Sequence, residues 1–143
     1  MYQIIQTTHS YLAALTLLLL LVATVNGIIG ANSQKAFEQK DASINRFALM
    51  AVHTMFLLGL TLLVLSPKVQ FSNLKATMSD PFLRLYTIEH PFMNLIAVAL
   101  VTIGFGRSKR AVGNGKKFKQ TMIFFGLAFV IILSRIPWQY WFK

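Results

Sequence analysis

The sequence predicts an all-α integral membrane protein, folded as a bundle of four transmembrane helices. Of its 143 residues, 55% are hydrophobic and only 13% are charged, whereas a soluble domain carries about 25% charged residues. The apolar residues form four segments, each long enough to cross a bilayer at about 1.5 Å of helix per residue. No repeat or second hydrophobic unit interrupts this pattern, so residues 1–143 are predicted to form a single membrane domain.

The predicted spans cover approximately residues 8–29, 46–66, 81–106 and 120–137. No Lys or Arg precedes the first span, and its apolar run exceeds the roughly 7–15 residues of a signal-peptide core, so we expect it to be retained. Pro67 should end the second span. Asp80 followed by Pro81 is a typical helix start. Pro91 removes one backbone hydrogen bond inside the third span and predicts a kink there.

The formal net charge of +10 is concentrated between the spans. Six of the fourteen Lys and Arg residues lie in the connection after the third span: Arg107, Lys109, Arg110, Lys116, Lys117 and Lys119. The positive-inside rule places this connection and the first one in the cytoplasm, with both termini and the connection of residues 67–80 on the outer side of the membrane. Lipid is therefore the expected partner of these charges, and no RNA- or DNA-binding motif accompanies them to suggest nucleic acid.

The chain has no cysteine. This excludes disulfides, thiolate metal sites, thioether-attached haem and cysteine nucleophiles. No arrangement of a nucleophile beside a base supports a hydrolytic activity either. Functional chemistry must therefore come from the few polar residues within the apolar segments.

All three histidines, His9, His53 and His90, lie in predicted spans or at their edges. Ionisable residues at membrane depth are costly and usually serve a function or pair inside a bundle. His53 lies thirteen residues from Ser66, or about 20 Å of helix, and His90 lies nine residues from Pro81, or about 14 Å. These similar depths on consecutive antiparallel helices predict that the two imidazoles face each other.

Two facing imidazoles without cysteine favour a b-type haem with His53 and His90 as axial ligands. His9 lies within about 10 Å of the outer end of its span, so it is either a further ligand or a group that orients a haem propionate or a quinone carbonyl. Met50, Met55 and Met93 are adaptable fillers, one of which offers an alternative sixth ligand. Two other interpretations stay open: histidines that only hydrogen-bond across helices, and copper or proton handling by His and Met.

Glu89 lies beside His90 and requires a partner at this depth. Arg135 at the end of the fourth span is the expected partner, and Arg84 is the competitor nearer the surface. A structural ion pair between Glu89 and Arg135 is the main interpretation. Proton transfer beside a quinone is the functional alternative.

Several short motifs occur in a fixed order along the chain: Thr8-His9-Ser10, Val52-His53-Thr54, Ser66-Pro67-Lys68-Val69-Gln70-Phe71, Tyr86-Thr87-Ile88-Glu89-His90-Pro91, Ile103-Gly104 and Ile136-Pro137-Trp138. In this order the chain resembles the small bacterial four-helix membrane proteins catalogued as cytochrome b-like. The resemblance extends over essentially the whole sequence. It implies a membrane-embedded haem protein of a respiratory chain.

The sequence therefore predicts a b-type haem electron-transfer protein, or a subunit, linked to quinone and to a larger membrane complex. In that case the haem would perform the redox chemistry, and the protein would supply axial ligands and a low-dielectric environment. The alternative is an accessory subunit without haem, in which the histidines and the Glu89–Arg135 pair serve packing alone.

Overall fold

A computed structural model describes residues 1–141 of the chain. The sequence after Pro137 contains two tryptophans, a tyrosine and a terminal lysine, which predict an anchor at the membrane–water interface. Its last two residues, Phe142 and Lys143, lie outside the described residues. Five helices follow in order: α1 (Tyr2–Ala31), α2 (Gln39–Leu65), α3 (Leu74–Ser79), α4 (Pro81–Arg110) and α5 (Asn114–Ser134). All except the short α3 are long and apolar enough to cross a membrane, as the sequence predicts.

The helices extend beyond the apolar segments that predicted them. For example, α2 begins at Gln39, where Glu38 and Asp41 form a reciprocal capping box, rather than near Arg46. Similarly, α1 begins at Tyr2 and α5 at Asn114. Apolar composition marks the part of a helix that lipid can surround, whereas backbone hydrogen bonding continues into the polar interface until a cap ends it.

The four long helices form a ring in which α1 packs on α2, α2 on α4, α4 on α5, and α5 back on α1. This is an up-and-down antiparallel bundle with its core along the central axis. The fully buried core residues are mostly small or aromatic: Leu20, Ala23, Ala48, Ala97, Val101, Phe125 and Ala128. Large aliphatic residues such as Leu18, Leu57 and Val130 are exposed around the outside, as expected of helices that lipid surrounds.

The end of the bundle that carries both chain termini, called here the terminal end, is shaped by the connection between α2 and α4. Asp80 Oδ1 accepts hydrogen bonds from the backbone N–H groups of Phe82 and Leu83, so the predicted cap at the start of α4 is present. The N–H of Gln70, five residues after the end of α2, donates to Thr87 Oγ1 at 3.1 Å. The first two turns of α4 therefore project beyond the end of α2.

Pro91 is accommodated by a π-helical turn over Leu85–Glu89, in which the N–H of His90 donates to the carbonyl of Leu85. This wider turn lies directly before Pro91, where the sequence predicts a kink. Such turns are often found at functional sites because they rotate the side chains that follow them.

The opposite end, called here the basic end, holds the two shorter connections. Asp41 is fully buried there and accepts hydrogen bonds from Lys35 Nζ at 2.8 Å, Asn26 Nδ2 at 2.9 Å and Glu38 N at 2.9 Å. These bonds join the end of α1 to the start of α2. They satisfy a carboxylate that would be costly to bury alone.

Candidate functional site

The rings of His9 on α1 and His90 on α4 lie close together near the terminal end of the bundle. Their centroids are 6.3 Å apart, and their planes meet at 72°. Both side chains are partly buried. The two helices are not neighbours in the ring order, so this histidine pair lies across the interior of the bundle.

His90 is oriented by the backbone at the end of α5. Its Nδ1 lies 2.8 Å from the carbonyl oxygen of Arg135. A carbonyl can only accept, so Nδ1 carries the proton and donates it, which leaves the lone pair on Nε2. A hydrogen bond of this kind fixes the tautomer and orientation of histidines that bind metals.

His9 contributes the most unusual polar atom of the site. Its Nδ1 is buried, and no donor or acceptor within residues 1–141 lies at hydrogen-bonding distance. Buried polar groups are nearly always paired, so an unpaired one calls for an explanation. Gly59 on α2 faces the same ring, since a Cβ on this residue would lie 3.5 Å from His9 Cε1.

Two adjoining clefts meet at the histidine pair. The terminal cleft, of about 810 Å³ counted to its open side, opens at the terminal end and includes Tyr2, Gln6, Lys68 and Tyr86 in its wall. The core cleft, of about 720 Å³ counted in the same way, continues inward along mostly apolar side chains, which include Val52, Met55, Phe56, Asn94 and Val98. His9, Gly59, His90, Pro91 and Ile136 line both clefts, together with Ala13 and Leu63.

Glu89 contacts both of the arginines considered in the sequence analysis. Arg84 Nε lies 2.8 Å from Glu89 Oε1, and Arg135 Nε lies 3.5 Å from Glu89 Oε2. The predicted contact with Arg135 is therefore present, but the expected competitor makes the shorter one. The carboxylate ties the start of α4 to the end of α5, where the Arg135 carbonyl orients His90.

The expectation that His53 faces His90 is wrong. His53 Nε2 lies 3.1 Å from Thr102 Oγ1, and Thr102 is twelve residues after His90, or about 18 Å along α4. The depth estimate failed because it counted from Pro81 as though α4 began level with the end of α2. The Gln70–Thr87 hydrogen bond shows instead that His90 lies only about one turn below the end of α2.

Thr102 donates its hydroxyl proton to the carbonyl of Val98 at 2.7 Å, so His53 must be the donor to Thr102. His53 therefore makes a hydrogen bond across α2 and α4, as the packing interpretation predicts for an intramembrane histidine. The predictions from sequence did not include Lys68 or Tyr86 among the site residues. For Tyr86 a usable signal exists in the Tyr86-Thr87-Ile88-Glu89-His90 run, because Tyr86 and His90 are about one helical turn apart.

The chemistry available at the site is that of two imidazoles. Within residues 1–141 no group of three or more His, Asp or Glu side chains converges to hold a metal ion. Two neutral imidazoles, one with a fixed tautomer and one with an unpaired buried nitrogen, can bind a metal centre whose remaining ligands come with it. No protein-family model, curated protein or solved structure matches this chain.

Proposed function

We propose that the protein binds one b-type haem between His9 and His90 and transfers electrons within a respiratory chain. In this proposal it resides in a bacterial cytoplasmic membrane, with both termini outside and the basic end in the cytoplasm. It exchanges electrons with membrane quinone and with a larger membrane complex. The concentration of Lys and Arg at the basic end supports this orientation.

The observation that carries the proposal is the separation of the two rings. Imidazoles that bind one metal from opposite sides, each at about 2 Å, have ring centres about 6 Å apart. The measured 6.3 Å agrees with this value. The unpaired Nδ1 of His9 and the clefts on both sides of the pair also fit such a group. The ligand pair proposed here thus replaces the pair of His53 and His90.

A bound haem would supply one-electron redox chemistry, and the protein would supply its surroundings. The Arg135 carbonyl holds the His90 ring in the tautomer that leaves Nε2 free to bind. Glu89 fixes the position of that carbonyl by contacting Arg135 from α4. The apolar core cleft excludes water from the inner side of the pair, while Lys68 provides a positive charge in the wall of the terminal cleft.

The test is a reduced-minus-oxidised visible spectrum of the full chain, expressed with added haem and purified in mild detergent. We expect an α-band in the b-type region. His9→Ala and His90→Ala should each abolish or strongly shift this band, because each removes one axial ligand. His53→Ala is the matched control, since it removes an intramembrane histidine of the same type and should leave the band unchanged.

Three results would contradict the proposal. Absence of the band from folded, haem-supplied protein would favour the accessory-subunit alternative, as would stoichiometric co-purification with a larger complex without haem in this chain. Loss of the band in His53→Ala but not in His9→Ala would restore the ligand pair that the sequence suggested.

A further inference from the structure

The basic end contains a third cleft that has no part in the proposed haem site. This basic cleft, of about 1180 Å³ counted to its open side, lies between α2, α4 and the start of α5. Its polar wall includes Arg46, Lys109 and Lys117, and its apolar wall includes Leu49 and Phe105. Positive and apolar surfaces therefore adjoin within this one cleft.

The positive charge of the cleft is not neutralised from within. The one carboxylate in its wall belongs to Glu38, which pairs with Lys40 at 3.0 Å. Lys117 Nζ donates to the backbone carbonyls of Ser108 and Lys109, so it is held in place while its charge stays uncompensated. Arg46 and Lys109 have exposed side chains without an ion-pair partner in the described residues.

Asn45 adds an independent indication that a ligand binds here. It is 2% exposed and lines the cleft, and its Nδ2 donates to Thr121 Oγ1 at 2.7 Å. Thr121 in turn donates its hydroxyl proton to Ser108 Oγ at 3.2 Å or to the Lys117 carbonyl at 3.4 Å, so its Oγ1 can accept from Asn45. The buried Oδ1 of Asn45 is left without a donor in residues 1–141.

We propose that the basic cleft binds an anionic phospholipid whose headgroup carries a free hydroxyl, of the phosphatidylglycerol class. Arg46 and Lys109 contact the phosphate, which needs strong donors. The headgroup hydroxyl donates to Asn45 Oδ1 and satisfies it. Leu49 and Phe105 contact the part of an acyl chain nearest the headgroup. The rest of the chain lies along the exposed apolar surface of the bundle.

The experiment measures lipid binding to the full chain by native mass spectrometry from detergent, with phosphatidylglycerol and with phosphatidylcholine as the zwitterionic reference. We expect phosphatidylglycerol to be retained preferentially. The double variant Arg46→Gln/Lys109→Gln should weaken its binding about 25-fold, since each basic residue near an anionic surface contributes roughly a factor of five. The unmodified chain should also retain phosphatidylglycerol in preference to phosphatidic acid, which lacks the hydroxyl-bearing headgroup, and Asn45→Leu should remove that preference.

The matched control is Lys116→Gln/Lys119→Gln, which removes two exposed charges from the same end of the bundle but outside the cleft. This variant should bind phosphatidylglycerol within about twofold of the unmodified chain. Equal losses in the two double variants would overturn the proposal, because they would indicate diffuse attraction to the whole basic surface. Equal binding of phosphatidylcholine would also overturn it.

Discussion

The hydroxyl of Thr121 on α5 forms hydrogen bonds with Asn45 on α2 and Ser108 on α4. Thr121 is therefore the best residue at which to test how much buried hydrogen bonds contribute to stability. It is 1% exposed, accepts from Asn45 and donates toward Ser108. Thr121→Val keeps the shape but leaves Asn45 without its acceptor, so the free energy of unfolding should fall by about 1–2 kcal/mol. Thr61→Val is the control, because that exposed hydroxyl bonds only within its own helix.

The measurement is unfolding in mixed micelles, followed by circular dichroism as the fraction of denaturing detergent rises. Thr61→Val should lie within about 0.5 kcal/mol of the unmodified chain, as surface substitutions usually do. If the two variants lost equal stability, the buried hydrogen bonds of Thr121 would contribute no more to the free energy of unfolding than an exposed hydroxyl does.

The histidines illustrate what the sequence alone could and could not predict at the residue scale. Their unusual number within apolar segments identified all three as candidates, and the need of a carboxylate at membrane depth for a partner predicted the contact of Glu89 with Arg135. Which pair faces which depends on how far one helix is shifted along another. That shift is set by the Gln70–Thr87 hydrogen bond and by the π-helical turn before His90, neither of which has a clear signal in the sequence.

At the scale of the helices, Gly27 determines how closely α1 approaches α5. A Cβ at this position would lie 2.8 Å from the backbone nitrogen of Met122 and 3.1 Å from the carbonyl oxygen of Phe118. Backbone atoms cannot move aside as a side-chain tip can, so Gly27→Ala must push the two helices apart. We expect the free energy of unfolding to fall by about 1–3 kcal/mol, the usual range for an overpacked core.

Gly115→Ala is the matched control for Gly27→Ala, since nothing lies within 4 Å of its Cβ position in the first turn of α5. It should leave the stability unchanged or raise it by up to about 1 kcal/mol, because alanine favours a helix more than glycine does. The same detergent titration measures both variants. Equal stability of the two would show that the backbone contact between α1 and α5 is not close in solution.

The number and order of the four long helices follow from hydropathy, because any chain segment that crosses a bilayer must satisfy its backbone groups internally. Their ends do not follow from hydropathy, because they depend on polar caps such as Glu38 with Asp41. This is why α2 begins at Gln39 rather than near Arg46. The helix start at Pro81 was predictable because the cap itself, Asp80, is visible in the sequence.

At the scale of the whole molecule, the distribution of charge makes the orientation in the membrane testable. The basic end should face the cytoplasm and the connection that contains α3 should face outward. Because the chain has no cysteine, a single introduced cysteine reports on one location only. Ser72→Cys lies in the connection before α3, and Val112→Cys lies between α4 and α5, where the valine is 85% exposed.

A membrane-impermeant maleimide added to intact bacterial cells with a permeable outer membrane should modify Ser72→Cys and leave Val112→Cys unmodified. Lysis before labelling should make both sites react, which controls for exposure of the thiol itself. The reverse pattern in intact cells would show that the protein has the opposite orientation in the membrane. In that case the terminal cleft and the histidine pair would open toward the cytoplasm, and any electron donor or acceptor at that cleft would have to be sought there.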